Sequence, residues 1–531
     1  MRFGSRENPG KMDTPDWLAA HVIKGQVISN LPELVVSRMV ANKPFIACDD
    51  GRAFTHGAFW DLCGRFAAVL AALNTTVGDR VVVQVPKSVE ALAVFWACAR
   101  AGLVFVPLNT AYTLAEVSYF VDDAEPSVFV CDAGQHAGIS AHFANLPRLR
   151  VVSFDAAGGG SLGEEAKKTM SGFVDHPTTW DDAVAILYTS GTTGRSKGAM
   201  LTHGNLASNA LALIDVWQMT ADDTLIHALP VYHTHGLFTA TNTIMLAGGR
   251  MLFDAKFEAE AVIAKFVDAT MLMGVPTFYT RLLQSDRLTK DAVRNMRLFI
   301  SGSAPLLAET HQDFAARTGQ AILERYGMTE TSMNTSNPCQ GERRAGTVGM
   351  ALPYVQVRIS DLASGRVIER RETGMIELKG PNLFKGYWRN PEKTAEDMTA
   401  DGFFRTGDVG CFDRDGYLSI TGRAKDLVIT GGFNVYPKEV ELLIDAMDGV
   451  LESAVIGLPH PDFGEGVTAI VVAEAGRLIK EADVIAQMKS QVAAFKLPKR
   501  VLVVEQLPRN VMGKVQKAAL RETYRDLYRP V

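Results

Sequence analysis

Short apolar runs rich in β-branched residues alternate with longer segments of helical period along much of the chain. VVVQV at 81–85, LVFVPL at 103–108 and SVFVCD at 127–132 have the length and composition of buried strands. The segment SVEALAVFWACARAG (88–102), which lies between the first two runs, has the apolar content of a buried helix. Such alternation predicts βαβ units and a mostly parallel sheet.

The pattern changes after about residue 345. VQVRIS at 355–360 and GMIELKG at 374–380 are short strands separated by glycine and aspartate turns, which predicts a β-rich subdomain. From Phe433 onward, helical and strand patterns alternate again over about 100 residues, the size of a small domain. We therefore predict an α/β protein with two parallel-sheet βαβ subdomains, a β-rich subdomain and a small α+β C-terminal domain, preceded by a loose arm at residues 1–30.

Charge and cysteine usage exclude several classes of protein. Lys and Arg number 54 against 59 Asp and Glu, so there is no basic excess to neutralise nucleic-acid or membrane phosphates. The six cysteines form no C-x-x-C pair, which argues against a disulfide framework or a zinc ribbon and favours a reducing compartment. The longest apolar run, at 91–99, is too short to span a membrane, and the first residues have no signal-peptide pattern. A cytoplasmic location is the resulting expectation.

The segment YTSGTTGRSKG at 188–198 follows a predicted strand and surrounds Lys197 with glycines and hydroxyl residues. Backbone N–H groups, hydroxyls and a lysine are the donors that a polyphosphate requires. The segment is not a Walker A loop, because Lys197 is followed by glycine rather than serine or threonine. Composition alone also allows an ordinary surface loop.

The longer string YTSGTTGRSKGAMLTHGN resembles the phosphate loop of the acyl-adenylate-forming superfamily, which includes acyl-CoA synthetases, adenylation domains of peptide synthetases and luciferases. Further family-like strings follow in the expected order: ERYGMTET (324–331), RTGD (405–408), GRAKD (422–426), GGFNVYPKEVE (431–441) and PRNVMGK (508–514). Within the superfamily, the chain is most similar to the malonyl-CoA synthetases. The resemblance implies an adenylating N-terminal domain at 31–424 and a mobile C-terminal lid at 425–531. It also implies a reaction in which a carboxylate and ATP form an acyl-AMP, from which coenzyme A takes the acyl group.

The resemblance further implies a role for individual residues. The catalytic residues would be Lys514, His233 and Thr329, and Glu330 would hold Mg²⁺. Tyr326 would stack on adenine, Asp408 would bind the ribose, and Arg423 would support Asp408. The implied ATP and AMP site comprises Thr189, Ser190, Gly191, Thr192, Thr193, Gly194, Lys197, Gly302, Ser303, Ala304, Glu324, Arg325, Tyr326, Gly327, Met328, Thr329, Asp408, Arg423 and Lys514.

For the second half-reaction, the resemblance implies a hinge at Lys425 and a coenzyme A channel lined by Gly431, Gly432 and Phe433. Acetylation would remove the charge of Lys514, so we hypothesise a lysine acetyltransferase as a partner.

The segments HALPVYHTHGLF (227–238) and GVPTFYTRLL (274–283) bear on which acid is used. His235, Arg281 and Ser303 would face the acyl group, and a buried guanidinium at 281 would need a counter-charge. A second carboxylate on the substrate could supply that charge, which favours a short dicarboxylic acid such as malonate or methylmalonate. Alternatively, Arg281 pairs with a nearby acidic residue, and the enzyme is a CoA ligase for another short-chain or aryl monocarboxylic acid. A stand-alone adenylation enzyme that loads a carrier protein is a further alternative.

Overall fold

The structure, a computed structural model, describes residues 15–19, 27–170, 172–189, 196–369, 371–431, 433–489, 491–510 and 513–529, with the backbone alone at residue 434. The chain divides into two compact units. The first lies within residues 1–187, 200–223 and 230–251, and the second within 188–199, 224–229 and 252–531.

The α-helices are numbered in chain order. They are α1 (Asp16–Ala19), α2 (Leu31–Arg38), α3 (His56–Ala72), α4 (Val89–Ala101), α5 (Leu114–Ala124), α6 (His136–His142), α7 (Ser161–Lys168), α8 (His203–Val216), α9 (Thr241–Leu246), α10 (Ala259–Lys265), α11 (Pro276–Leu283), α12 (Ala308–Thr318), α13 (Pro391–Asp397), α14 (Pro437–Asp445), α15 (Glu481–Met488) and α16 (Lys517–Thr523). Short 3₁₀-helices occur at Ala133–Gln135, Phe266–Asp268, Ala424–Asp426 and Ala494–Lys496, and a π-helix at His235–Ala240.

The strands are β1 (Pro44–Cys48), β2 (Ala53–Thr55), β3 (Arg80–Gln84), β4 (Val104–Pro107), β5 (Val128–Asp132), β6 (Arg150–Phe154), β7 (Ala183–Thr189), β8 (Lys197–Thr202), β9 (Thr224–His227), β10 (Arg250–Phe253), β11 (Met271–Gly274), β12 (Leu298–Ser301), β13 (Leu323–Met328), β14 (Ser332–Ser336), β15 (Met350–Ala351), β16 (Gln356–Ser360), β17 (Gly374–Lys379), β18 (Gly386–Tyr387), β19 (Phe404–Phe412), β20 (Leu418–Arg423), β21 (Val428–Thr430), β22 (Phe433–Val435), β23 (Val450–His460), β24 (Gly464–Ala473) and β25 (Arg500–Val504).

The first unit contains a parallel sheet in which the strand order is β7-β4-β3-β5-β6. Helix α4 connects β3 to β4 and is buried along its whole length. The Ser88 side chain caps its start by accepting from the Ala91 amide, and Gly102, at φ 70°, ends it in the left-handed conformation. The predicted strand–helix–strand pattern of residues 81–108 is therefore confirmed.

The second unit contains three sheets. The strand order of the first is β9-β11-β12-β13-β14-β15, which is parallel up to β13 and antiparallel beyond it. The second, β16-β17-β19-β20, is antiparallel and is the predicted β-rich subdomain. In the third, β22-β21-β24-β23 is antiparallel and β25 adds in parallel to β24. The predicted fold class, with parallel sheets, a β-rich region and a C-terminal α+β region, is confirmed.

The parallel part of the first of these sheets places several chain turns at one edge. Gly274 pairs with Ser301, and Ser301 pairs with Glu324, so the carboxyl ends of β11 and β12 lie beside the beginning of β13, which continues past them. Ligands in open α/β sheets bind at this edge. Among the described residues, no helix is both long enough and apolar enough to cross a membrane.

Candidate functional site

The chain leaves β12 through Gly302 and Ser303. Ser303 has a φ of 73°, a left-handed conformation that is uncommon for a residue with a side chain. Backbone strain of this kind concentrates at functional sites. A Cβ on Gly302 would lie 2.4 Å from Cζ of Arg325, so glycine at 302 makes room for the guanidinium. The GSA segment at 302–304 is thus shaped around a neighbouring arginine.

Arg325 lies in β13, and its residue is only 3% exposed. Neither Nε nor Nη2 of its guanidinium has a hydrogen-bond partner among the described residues. Burial lowers the pKa of Arg325 to about 9, and the group that opposes this shift is the phenol of Tyr279, whose hydroxyl donates to the Ile300 carbonyl at 2.7 Å. Burial of an unpaired cation costs free energy, so an anion that binds this guanidinium would offset that cost.

Tyr326, Asp408 and Arg423 form a connected group. The Tyr326 hydroxyl donates to Asp408 Oδ2 at 2.6 Å, and Arg423 Nε lies 3.0 Å from Asp408 Oδ1. Asp408 and Arg423 are opposite each other on β19 and β20, so the sheet register brings the pair together. The charge of Asp408 raises the pKa of Arg423. Both carboxylate oxygens are therefore held, and the tyrosine ring is fixed by its hydroxyl.

Glu330 lies in the turn after β13 and is buried. Burial raises its pKa, which means that the site favours a proton or a cation on this carboxyl group. The Tyr387 hydroxyl donates to Glu330 Oε1 at 3.1 Å, and Lys197 Nζ lies 5.3 Å from the centre of the Tyr387 ring. Sequence reasoning missed Tyr387, which belongs to no motif that was singled out. It connects the predicted metal residue with the lysine of the predicted phosphate loop.

Lys514 is carried by a tight turn that leads toward α16. Lys514 is exposed to solvent, although enough protein lies around its ammonium to desolvate it in part. Desolvation lowers the pKa of Lys514, and the charged groups close enough to influence it are Arg423, Asp408, Glu330 and Arg325. The structure thus brings Lys514 into one electrostatic environment with four other residues that the sequence predicted for the site.

The other predicted residues of this segment lie along β13 and in the turn that follows it. Glu324 is buried, accepts from the Gly346 amide at 3.3 Å, and has its pKa raised by burial to about 8. Gly327 has no room for a Cβ, which would lie 2.0 Å from the Ser332 carbonyl oxygen. Met328 and Thr329 are half-buried at the turn into β14.

Several of the predicted site residues lie apart from this group or outside the residues that the structure describes. Ser190, Gly191, Thr192, Thr193, Gly194 and Gly432 lie outside the described residues, whereas Thr189 Oγ1 donates to the Lys197 carbonyl at 3.4 Å. Lys425 lies in the 3₁₀-helix Ala424–Asp426, and Phe433 stacks on Phe495 at 4.7 Å between ring centres. Gly431 has a φ of 57°. His233 is half-buried and His235 is buried in the first unit, at the start of the π-helix.

The expectation that the guanidinium of Arg281 is buried is wrong. Helix α11 buries Phe278, Tyr279 and Leu282, and Arg281 lies on its exposed side. Its charge contributes to the lowered pKa of Glu258, although Lys256 is the main cause of that shift. This agrees with the alternative in which Arg281 faces a local acidic residue. Arg325, and not Arg281, has a buried guanidinium without a counter-charge among the described residues.

Comparison with known proteins agrees with this arrangement. Residues 35–388 match the AMP-binding enzyme family, and residues 439–514 match the C-terminal domain of AMP-binding enzymes. A malonate–CoA ligase of Arabidopsis thaliana is 32% identical over 527 residues, covering 89% of this chain and 85% of that protein. A feruloyl-CoA synthase of Amycolatopsis sp is 34% identical over 480 residues, covering 89% of this chain and 94% of that protein.

Solved structures are also similar. The crystal structure of ATP-bound MatB from Rhodopseudomonas palustris shares 55% sequence identity with this chain and superposes with a TM-score of 0.93, covering 94% of this chain and all of that one. The anthranilate CoA ligase AuaEII in complex with anthranoyl-AMP has a TM-score of 0.85 at 24% identity, which speaks for the fold alone. The family match spans more than half of the chain, and the chain belongs to the AMP-binding enzymes, among their CoA ligases.

Proposed function

We propose that this enzyme joins a short dicarboxylic acid, malonate or its methylated form, to coenzyme A in an ATP- and Mg²⁺-dependent reaction that releases AMP and pyrophosphate. The uncompensated guanidinium of Arg325 carries the proposal. A monocarboxylic acid presents one carboxylate, which the adenylation reaction itself consumes. A second carboxylate remains on a dicarboxylic acid and can pair with Arg325 through two parallel hydrogen bonds.

The position of Arg325 supports this assignment. Its guanidinium fills the space left by Gly302, in the segment that the family resemblance assigns to the acyl group. The charge of Arg325 influences the pKa of Lys514, which agrees with a small acid that contacts both residues. The similarity to a malonate–CoA ligase and to MatB agrees with the same class of substrate.

In the first half-reaction, one carboxylate oxygen of the acid attacks the α-phosphorus of ATP, an O–P bond forms, and pyrophosphate leaves. The Lys514 ammonium offsets the negative charge that builds up between the carboxylate and the α-phosphate. Asp408, held by Tyr326 and Arg423, accepts from the ribose hydroxyls and keeps the nucleotide in register. The anionic product is an acyl-AMP whose free carboxylate stays on Arg325.

A divalent metal fits Glu330, whose buried carboxyl group forms no ion pair within the described residues and is oriented by the Tyr387 hydroxyl. Glu330 would hold Mg²⁺, which neutralises phosphate charge when it is bound. No cluster of three or more acidic, histidine or cysteine side chains occurs in the described part of the chain, so phosphate oxygens and water would complete the coordination.

In the second half-reaction, the thiol of coenzyme A loses its proton and attacks the acyl carbonyl, so that a C–S bond forms and AMP leaves. Lys425 is the proposed hinge, and Gly431, Gly432 and Phe433 would line the channel. Phe433 is 55% exposed and stacks on Phe495, next to Lys496, which suits a ligand with an aromatic base and phosphates. Acetylation of Lys514 would stop only the first half-reaction, and a lysine acetyltransferase is a proposed partner.

A panel of acids tests the proposal. CoA-dependent AMP release is measured with malonate, methylmalonate, propionate, butyrate and 4-coumarate for the wild type, Arg325→Met and the exposed control Arg281→Met. We expect malonate or methylmalonate to exceed propionate by at least about 100-fold in kcat/KM, and only Arg325→Met to remove this preference. A preference for a monocarboxylic acid would support the alternative ligases, and AMP release that requires a carrier protein instead of CoA would support the carrier-loading alternative.

A further inference from the structure

We infer that Glu441 and Glu452 are positioning residues for adenylation, because two ion pairs fix the Lys514 turn at both of its ends to the C-terminal sheet and helix. The inference rests on the proposed function only in that Lys514 acts in the first half-reaction. Neither glutamate belongs to the predicted nucleotide site.

The turn itself is closed by Asn510 and Lys514. The Asn510 amide donates to the Lys514 carbonyl at 2.9 Å, and the Lys514 amide donates to Asn510 Oδ1 at 3.0 Å. The Gly513 amide donates to the Asn510 carbonyl at 2.9 Å, and Gly513 has a φ of 75°, which a residue with a side chain adopts only under strain. These bonds join Asn510, Gly513 and Lys514 to one another, so the position of Lys514 depends on what holds the residues on either side of it.

Arg509 holds the entering end. Its guanidinium donates to the Gly513 carbonyl and pairs with the carboxylate of Glu452 on β23. One side chain thus connects the residue next to Lys514 with a strand of the C-terminal sheet. Glu452 is opposite Val472 of β24, near the beginning of a long antiparallel pair and directly after an irregularity in its register.

Lys517 holds the leaving end. It is the first residue of α16, three positions after Lys514, and its Nζ lies 2.5 Å from Oε1 of Glu441 on α14. The same Oε1 accepts from the Val455 amide at 2.8 Å. Glu441 is buried, and Lys438 Nζ lies at 4.0 Å from its second carboxylate oxygen. Partly buried, multiply bonded pairs of this kind are more strongly held than exposed ones.

Both glutamates belong to elements that share one hydrophobic core. Val440 and Ile444 of α14 pack with Val455 of β23 in that core. The two ion pairs therefore connect the residues on either side of Lys514 to elements that are fixed by a packed hydrophobic core. Since a misplacement of about 1 Å can cost about 100-fold in rate, release of either end is expected to slow adenylation.

The experiment separates the two half-reactions. ATP–pyrophosphate exchange with malonate reports adenylation, and thioester formation from supplied acyl-AMP and CoA reports the second half. Glu452→Gln, Glu441→Gln and Lys517→Met are compared with Asp448→Asn, which breaks an exposed ion pair with Arg477 in the same region. We expect the rate of ATP–pyrophosphate exchange to fall about 10-fold in each of these three variants, and the rate of the second half-reaction to stay within twofold of the wild type. Lys517→Arg should recover most of the lost exchange. Asp448→Asn should alter neither half-reaction.

A double-mutant comparison and amide hydrogen exchange complete the test. In a Lys514→Ala background, Glu452→Gln should cause no further loss of adenylation, because the turn no longer carries the ammonium. Faster hydrogen exchange at Gly513 and Lys514 in Glu452→Gln but not in Asp448→Asn is expected. Equal losses in both half-reactions, a further loss in the Lys514→Ala background or unchanged hydrogen exchange would overturn the inference. Wild-type protein that shows no exchange with malonate would instead refute the proposed substrate, and hydrogen exchange would still decide the role of the two ion pairs.

Discussion

Replacement of Arg325 by methionine separates what the guanidinium does for the substrate from what it costs the folded protein. Methionine keeps a long, flexible side chain beside Gly302 and removes the charge. Burial lowers the pKa of Arg325 from its ordinary value to about 9 in the folded protein. That difference corresponds to roughly 5 kcal/mol of destabilisation of the charged form at neutral pH.

The sign of the effect follows from proton binding. At pH 7 the guanidinium is protonated in the folded and the unfolded chain, so the whole cost of burial is present. At a pH between the lowered pKa of Arg325 in the folded chain and the ordinary pKa of arginine, the unfolded chain binds more protons than the folded chain. The cost of burial is therefore relieved as the pH rises through that range. Relaxation of the surrounding protein and penetration of water reduce the free-energy cost of the buried charge. We therefore expect Arg325→Met to raise the free energy of unfolding by about 1–3 kcal/mol in the absence of substrate.

The assay is urea unfolding with and without saturating malonate, together with steady-state kinetics. Malonate should stabilise the wild type and have little effect on Arg325→Met, because a ligand stabilises only the state that binds it. The kcat/KM for malonate should fall by about 10²–10³-fold, the equivalent of roughly 3–4 kcal/mol, while that for propionate changes little. Arg281→Met, on the exposed side of α11, serves as the control and should match the wild type in each measurement.

Two results would refute this reasoning. A less stable Arg325→Met would mean that the guanidinium already has an anionic partner inside the protein. A kcat/KM for malonate within threefold of the wild type would mean that the second carboxylate is bound elsewhere.

Three further predictions concern the same site. Gly302→Ala should displace the Arg325 guanidinium, because the new Cβ would overlap it, and should lower kcat/KM for malonate by about 100-fold in the AMP-release assay with a smaller effect on KM for ATP. Tyr387→Phe removes the hydroxyl that donates to the buried carboxyl group of Glu330. We expect about a 10-fold loss of kcat and a higher Mg²⁺ requirement, which a metal titration measures. An unchanged Mg²⁺ requirement would argue against the role of Tyr387. Desolvation lowers the pKa of Lys514, and the reaction uses the ammonium form of this lysine. Adenylation should therefore decline with rising pH at a lower pH than it would with a lysine of ordinary pKa. A wild-type rate of pyrophosphate exchange that stays constant up to the ordinary pKa range of lysine would contradict this expectation.

The local patterns of the chain were sufficient for much of the fold. The strand–helix–strand segment at 81–108 carries its own cap at Ser88 and its own stop at Gly102, so its structure depends little on distant residues. The change to short strands after residue 345 likewise indicated the β-rich subdomain. The superfamily and its enzyme class were predictable because several motifs recur in a fixed order.

Burial of individual side chains was not predictable in the same way. Arg281 and Arg325 are both arginines within apolar surroundings in sequence, yet one lies on the open side of a helix and the other inside a strand. Neighbouring helix positions differ by about 100° in direction, so the side that faces the core is decided by packing against other elements. Tyr387 was missed because its partner Glu330 is distant in sequence and no short motif links them. The family resemblance, in contrast, implied that Arg423 supports Asp408, and the register of β19 and β20 places the two residues opposite each other.

Direct detection of the intermediate and product tests the central proposal most plainly. Purified enzyme is incubated with ATP, Mg²⁺ and malonate, first without and then with coenzyme A, and the nucleotides and thioesters are identified by mass spectrometry. We expect malonyl-AMP and pyrophosphate without coenzyme A, and malonyl-CoA with equimolar AMP once coenzyme A is added. No malonyl-AMP under conditions in which propionate or 4-coumarate is adenylated would contradict it.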